Sequence, residues 1–235
     1  MEAILLKNAF LIFSYRNELK YLLFTFVVIL ALPIIAVIVL TQSGISLVSD
    51  ALAHYNPQTK SIELFYPDGT KYNTIQATTV WPVKGVVTLE FGDSDLPYQV
   101  FHSGIDIANP DGKIGDDVVA IMPGKVIYAG EISWGFGKHV IIDHGNNITS
   151  IYGHLSEIDV TEGQEVAIGE IIGKEGETGW ATGPHVHLQI DVWGIPVNPR
   201  TFLGEEDPPG KIKLLSIITY QLTLSQQTQN KFLDL

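Results

Sequence analysis

Only 7 histidines occur in 235 residues, and two of them, His185 and His187, stand one residue apart in the stretch TGPHVHLQI. Imidazoles bind metal ions and exchange protons near neutral pH, so their mutual geometry decides whether they can act together. In a strand, residues i and i+2 share a face. His185, His187, Gln189 and Asp191 then line one side, and Val186, Leu188, Ile190 and Val192 the other. In a helix the two rings would diverge by about 200°. The alternation predicts a strand with one apolar face on a core and one polar, metal-capable face. Taken alone, that polar face is either a site or a wet surface.

His102 and Asp106, in FHSGIDIAN, form a second candidate. Helical i, i+4 spacing would put both on one face, but Ser103-Gly104 followed by Ile105 and Ile107 reads as a turn entering a strand. Fully extended, their Cα atoms lie about 13 Å apart. Gly104 lets the backbone bend or a metal approach. His154, in SIYGHLS, is the remaining candidate. His54 reads as solvated, and His139 and His144, in GKHVIIDHGNN, as structural. The chain has no cysteine, so disulfides and thiolate chemistry are excluded and any metal must be held by His, Asp or Glu.

The elements that must position these residues are short. Between residues 80 and 203, glycine-punctuated runs such as VVTLEFG, KVIYAG, HVIIDHG, ITSIYGH and HVHLQIDVWG follow one another. Strands and turns at that spacing predict a mostly β, antiparallel, sandwich-like or barrel-like domain without a long amphipathic helix. Trp81-Pro82 opens it and Asn198-Pro199-Arg200 closes it. Upstream, SIELFYPDGTKYN carries a Pro-Asp-Gly turn between alternating runs and predicts a hairpin over residues 61–73.

Here the motifs carry a resemblance. HSGIDIAN, VVAIMPGKVIYAG, IIDHG, IYGHLS, EGQEVAIGEIIG and TGPHVHLQI occur in the order typical of lysostaphin-type (LytM-like) zinc metallopeptidases, which cleave peptide bonds of the bacterial cell wall. The resemblance spans about residues 80–203. It implies a compact antiparallel β domain with a groove, zinc ligands at His102, Asp106 and His187, and catalytic histidines at His154 and His185. The chemistry is consistent with this. Three N/O ligands leave one zinc position open, the plan of a catalytic site. On one strand face, His185 lies about 6–7 Å from His187, close enough to serve a reacting carbonyl. Which of His154 and His185 is general base and which oxyanion donor stays open. Some members of the family lack ligands and serve as activators of other wall hydrolases, whereas all five positions are filled here. Trp180-Ala181 stands where small polar residues are commoner, so Trp180 either reshapes the groove rim or packs.

The N-terminal region sets the compartment. Residues 21–40, YLLFTFVVILALPIIAVIVL, hold no charge and at ~1.5 Å per residue span the ~30 Å hydrocarbon layer. Pro33 is tolerated in such a helix. A buried core helix would be shorter, and so would the apolar part of a cleaved signal peptide. Lys7, Arg16 and Lys20 precede the span and the next basic residue is Lys60, so the N-terminus is expected in the cytoplasm. Setting aside those three cations with Glu2 and Glu18 leaves residues 41–235 with 11 basic and 24 acidic side chains, a formal charge of −13. Such a surface excludes nucleic acid as a partner. The expected organisation is a cytoplasmic segment (1–20), a signal anchor (21–40), a stalk and hairpin region (41–79), the metallopeptidase domain (80–203) and a tail of unassigned role (204–235).

The functional expectation is a membrane-anchored zinc endopeptidase acting on peptide cross-links of peptidoglycan, with Zn2+ as cofactor. The alternative is a non-catalytic binding or activating module on the same scaffold. A biotinyl- or lipoyl-carrier reading, suggested by VVAIMPGKVIYAG, fails because Lys125 begins a strand rather than occupying a hairpin tip, and a carrier has no use for HxH.

Overall fold

The computed structural model describes residues 20–32, 44–93, 101–109, 111–204 and 208. The chain divides into two compact units, Met1–Gly44 and Ile45–Leu235. In the first, residues 20–32 are helical, and Tyr21, Leu22 and Phe24 are largely exposed. Residues 33–40 of the expected span lie outside the described residues, as does the tail apart from 204 and 208. Among the described residues no helix is long and apolar enough to cross a membrane.

The second unit is built almost entirely from strands. Its residues 45–52 are helical, and β1 (Ala53–Asn56), β2 (Ser61–Phe65) and β3 (Lys71–Gln76) follow as a three-stranded antiparallel sheet. The expected hairpin is β2–β3. Its Pro-Asp-Gly turn closes with Gly69 at φ 84° and Asp68 Oδ1 accepting the Thr70 N–H at 2.9 Å. The hairpin contributes Ile62 and Leu64 to the buried core, and the expected stalk before it contributes Leu52 and Ala53.

The main sheet begins with β4 (Val86–Leu89) and β5 (Ile105–Ala108). β6 (Asp117–Val119) belongs to a second small sheet. β7 (Gly124–Glu131), β8 (Lys138–Asp143) and β9 (Ile148–Leu155) form a meander in the main sheet. β10 (Glu157–Ile158) and β12 (Ile171–Lys174) join β6, whereas β11 (Glu165–Val166) edges β7. β13 (Val186–Val192) lies centrally between β9 and β5, with β14 (Ile195–Val197) paired to its far end. The order of the main sheet is β11-β7-β8-β9-β13-β5-β4, antiparallel at every step. A four-residue helix, Arg200–Leu203, follows β14.

The period-2 pattern of β13 does what alternation requires. Val186, Leu188, Ile190 and Val192 are fully buried in the core, which stabilises the strand by roughly 1.5–3 kcal/mol per large apolar side chain. The opposite face is left for polar groups.

Candidate functional site

β13 brings the site together because it is flanked on both sides. His187 stands opposite Asp106 of β5 and opposite Gly153 of β9. His185 lies one residue before the strand, in an isolated bridge with Gly176. Further along the same face, Gln189 accepts from Ser103 Oγ at 2.5 Å and donates to Asp191 Oδ1 at 2.7 Å. His102 sits in the turn leading into β5, so the pair His102–Asp106 is a turn entering a strand and not a helical i, i+4 face.

Three donor atoms converge there. His102 Nε2 is 3.1 Å from Asp106 Oδ1 and 3.0 Å from His187 Nδ1, and His187 Nδ1 is 2.9 Å from Asp106 Oδ1. Together His102, Asp106 and His187 form the candidate metal-holding group among the described residues. Tetrahedral ligands at ~2.0–2.1 Å from zinc stand about 3.3 Å apart, so the triangle is within a few tenths of an ångström of a ligand face. The hydrogens argue the same way. His102 Nδ1 lies 3.1 Å from the Glu90 carbonyl, which can only accept, so Nδ1 carries the proton and Nε2 presents a lone pair. Nε2 and the Asp106 carboxylate therefore face each other as acceptors, and neutral His187 has at most one proton to offer. A cation satisfies all three.

The local packing is specific to this arrangement. A Cβ at Gly104 would come within 2.8 Å of His187 Nε2 and would overlap the Leu188 carbonyl; the glycine is required by close approach of the backbone to a ligand ring. His187 Nε2 is itself buried without a hydrogen-bond partner, a cost of about 1–3 kcal/mol of the kind found where function overrides stability. Burial works to raise the Asp106 carboxyl, but the adjoining His102 and His187 imidazoles outweigh it and hold the group well below the usual carboxylate range. Burial also pushes His187 down, so it is neutral and able to ligate.

His154 and His185 form a second pair, with ring centroids 4.6 Å apart. His154 Nδ1 lies 2.8 Å from the Thr178 carbonyl and His185 Nδ1 lies 2.8 Å from the Gly183 carbonyl. Each Nδ1 is thus the protonated nitrogen, leaving both Nε2 atoms as lone-pair acceptors in the neutral rings. His185 Nε2 is 3.6 Å from Asp106 Oδ2. His154 adopts φ 62° inside a strand, a left-handed conformation that costs a non-glycine residue about 1–3 kcal/mol and clusters at functional sites. Burial, with the neighbouring His185 and His187 adding to it, lowers His154 to about 4. It is therefore neutral at physiological pH.

His139 and His144 have structural roles. His139 stacks on Tyr128 at 4.4 Å. His144 Nδ1 is bound to the Pro123 carbonyl and Nε2 to Ser150 Oγ at 2.7 Å. His54 is exposed on β1. Trp180 is 61% exposed and its indole lies 6.2 Å from that of Trp134, 62% exposed, so it does not pack into the core. These tryptophans flank the loops whose Phe136 and Thr178 carbonyls hold His154. The carbonyls of Glu90, Thr178 and Gly183 were invisible in the sequence because any residue type supplies one.

Residues 100–199 match the profile of Peptidase family M23. A solved catalytic-domain variant of the prophage-encoded M23 protein EnpA from Enterococcus faecalis is 38% identical, over 51% of this chain and 92% of that one, with TM-score 0.45. The chain belongs to peptidase family M23. Two curated relatives show the range of the family. The murein hydrolase activator NlpD of Escherichia coli is 36% identical over 129 residues, 55% of this chain and 32% of that protein. The peptidoglycan DD-endopeptidase ShyA of Vibrio cholerae is 42% identical over 100 residues, 41% of this chain and 22% of that protein. The chain spans under two fifths of the length of the curated relatives it matches. All five histidine and aspartate positions just described fall inside the M23 match.

Proposed function

We propose that this M23 protein is a membrane-anchored zinc metalloendopeptidase that hydrolyses peptide cross-links of bacterial peptidoglycan. The observation that carries the reading is the convergence of His102, Asp106 and His187 at 2.9–3.1 Å beside the His154–His185 pair. His102 Nε2, Asp106 Oδ1 and His187 Nδ1 would hold Zn2+. When bound, zinc supplies a Lewis acid that polarises a carbonyl and lowers the pKa of water towards ~7.

This chain's own residues do the rest. Two neutral imidazoles and one carboxylate leave a divalent centre with net positive charge, suited to stabilising developing negative charge. His154 and His185 present Nε2 lone pairs that accept a proton from the attacking water, and either imidazole, once protonated, donates to the leaving amine or the oxyanion.

Anchoring through residues 21–40 with the N-terminus in the cytoplasm belongs to the same proposal. The uncharged apolar run supports it, as does a helix at 20–32 whose tyrosine, leucine and phenylalanine side chains are exposed. Phosphatase fusions after residue 60, inactive if that region stays in the cytoplasm, test the topology.

A second reading is an activator of other wall hydrolases, favoured by the match to NlpD. Purified full-length protein should hydrolyse peptidoglycan, lose the activity with chelator and regain it with zinc, and be inert as His187→Ala. Hydrolysis that survives both chelator and His187→Ala would refute the zinc mechanism. Absence of hydrolysis despite bound zinc, with stimulation of a second hydrolase, would establish the activator.

A further inference from the structure

Trp81 and the segment Asn198-Pro199-Arg200 meet beside the segment that holds His102. Segment 90–93, just beyond β4, grips His102 on three sides. The Glu90 carbonyl accepts from His102 Nδ1 at 3.1 Å. Gly92 N–H donates to the His102 carbonyl at 2.9 Å, and His102 N–H donates to the Asp93 carbonyl at 3.0 Å. The segment is itself clamped. Arg200 donates through Nη2 to Glu90 Oε1 at 2.7 Å and through Nε to Oε2 at 3.3 Å. Its guanidinium lies 5.4 Å from the Trp81 ring centroid.

An exposed ion pair has little worth, but a two-point guanidinium–carboxylate fork has defined geometry. Here the Arg200 side chain is 12% exposed, against 45% for Glu90, and it lies over an indole, which adds cation–π attraction. Arg200 is held in turn by Asn198, whose Oδ1 accepts the Arg200 N–H at 2.9 Å and whose own N–H donates to buried Ser49 Oγ at 2.9 Å. The helical residues 45–52 thus reach the same clamp.

We infer that Glu90 and Arg200 are positioning residues for the metal ligand His102, acting through the Glu90 carbonyl that sets its tautomer and ring orientation. Neither side chain lies among the three donor atoms. Partners of this kind hold a ligand imidazole in its metal-ready state, and their loss typically weakens metal binding ~10–100-fold. The inference rests on the zinc reading of the site.

Its test is the zinc dissociation constant of the purified full chain, measured by competition with a chromophoric chelator, together with the melting temperature of the zinc-free protein. Glu90→Gln keeps shape and removes the charged fork, and should raise the dissociation constant about 10-fold. Arg200→Lys keeps the charge but not the fork, and should fall between wild type and Glu90→Gln. Lys174→Ala, which removes an ion pair with Asp117 that does not touch the Glu90–Arg200 clamp, should leave zinc affinity unchanged. If zinc-free melting falls in Glu90→Gln and Arg200→Lys while both dissociation constants stay within twofold of wild type, the positioning role is overturned and the clamp is merely structural. Wild type without near-stoichiometric zinc would overturn the metal site itself, a separate failure.

Discussion

Replacing Glu175 with glutamine should stabilise this protein, and only above about pH 5. Glu175 follows β12 and is fully buried. Oε1 accepts the Asn109 N–H at 3.1 Å, while Oε2 has no hydrogen-bond partner. Burial, reinforced by Asp116, raises the carboxyl from 4.5 to about 7. The folded protein therefore keeps a proton that the unfolded chain releases as pH climbs past 4.5. By linkage, stability falls with rising pH between 4.5 and about 7 and is then level. At 1.36 kcal/mol per pH unit the loss is about 3 kcal/mol. Glutamine keeps the shape and the acceptor for Asn109 without the charge. Urea melts followed by tryptophan fluorescence at pH 4.5, 6 and 8 should show the two proteins converging at the acid end. At pH 8 the variant midpoint should be higher by about 1–2 M, for a slope near 2 kcal/mol/M. An equal midpoint difference at all three pH values, or a variant less stable at pH 8, would refute the reasoning. The residue is close to the chemistry, since the next carbonyl, of Gly176, accepts the His185 N–H at 3.0 Å.

Three further outcomes are expected. Gly104→Ala should lose zinc and destabilise the fold by about 1–3 kcal/mol, because its methyl would collide with the Leu188 carbonyl and His187; zinc content and a thermal melt check this. His185→Ala and His154→Ala should each retain zinc while lowering kcat about 10²–10⁴-fold, measured on a soluble muropeptide dimer; metal loss would show that the residue ligates instead. Trp134→Ala with Trp180→Ala should raise KM with little change in kcat or melting temperature, since both indoles are more than half exposed; unchanged KM would make them bystanders.

Much of the site was legible because strand alternation is local. TGPHVHLQI specifies by itself that His185 and His187 share a face opposite a fully apolar one, and the buried valines, leucine and isoleucine of β13 follow. The Pro-Asp-Gly turn likewise carries its own geometry, in a glycine free to take φ 84° and an aspartate that caps it. The polar composition of residues 41–60 suggested a stalk, whereas Leu52 and Ala53 are buried; periodicity over a few residues does not report what will later pack against them.

What the sequence alone determined is therefore the chemical inventory and its local facing: imidazoles and a carboxylate without thiols, in strands that point them to one side. Tertiary structure decided the meeting. It set the register that puts Asp106 and Gly153 against His187, 81 and 34 positions away in the chain. It brought the Glu90 and Thr178 carbonyls to the imidazoles, buried Glu175 without a full set of partners, and left Trp180 outside the core. The physical reason is that side-chain period is a property of one strand, whereas pairing partner and register come from burying the apolar faces of several strands in one core.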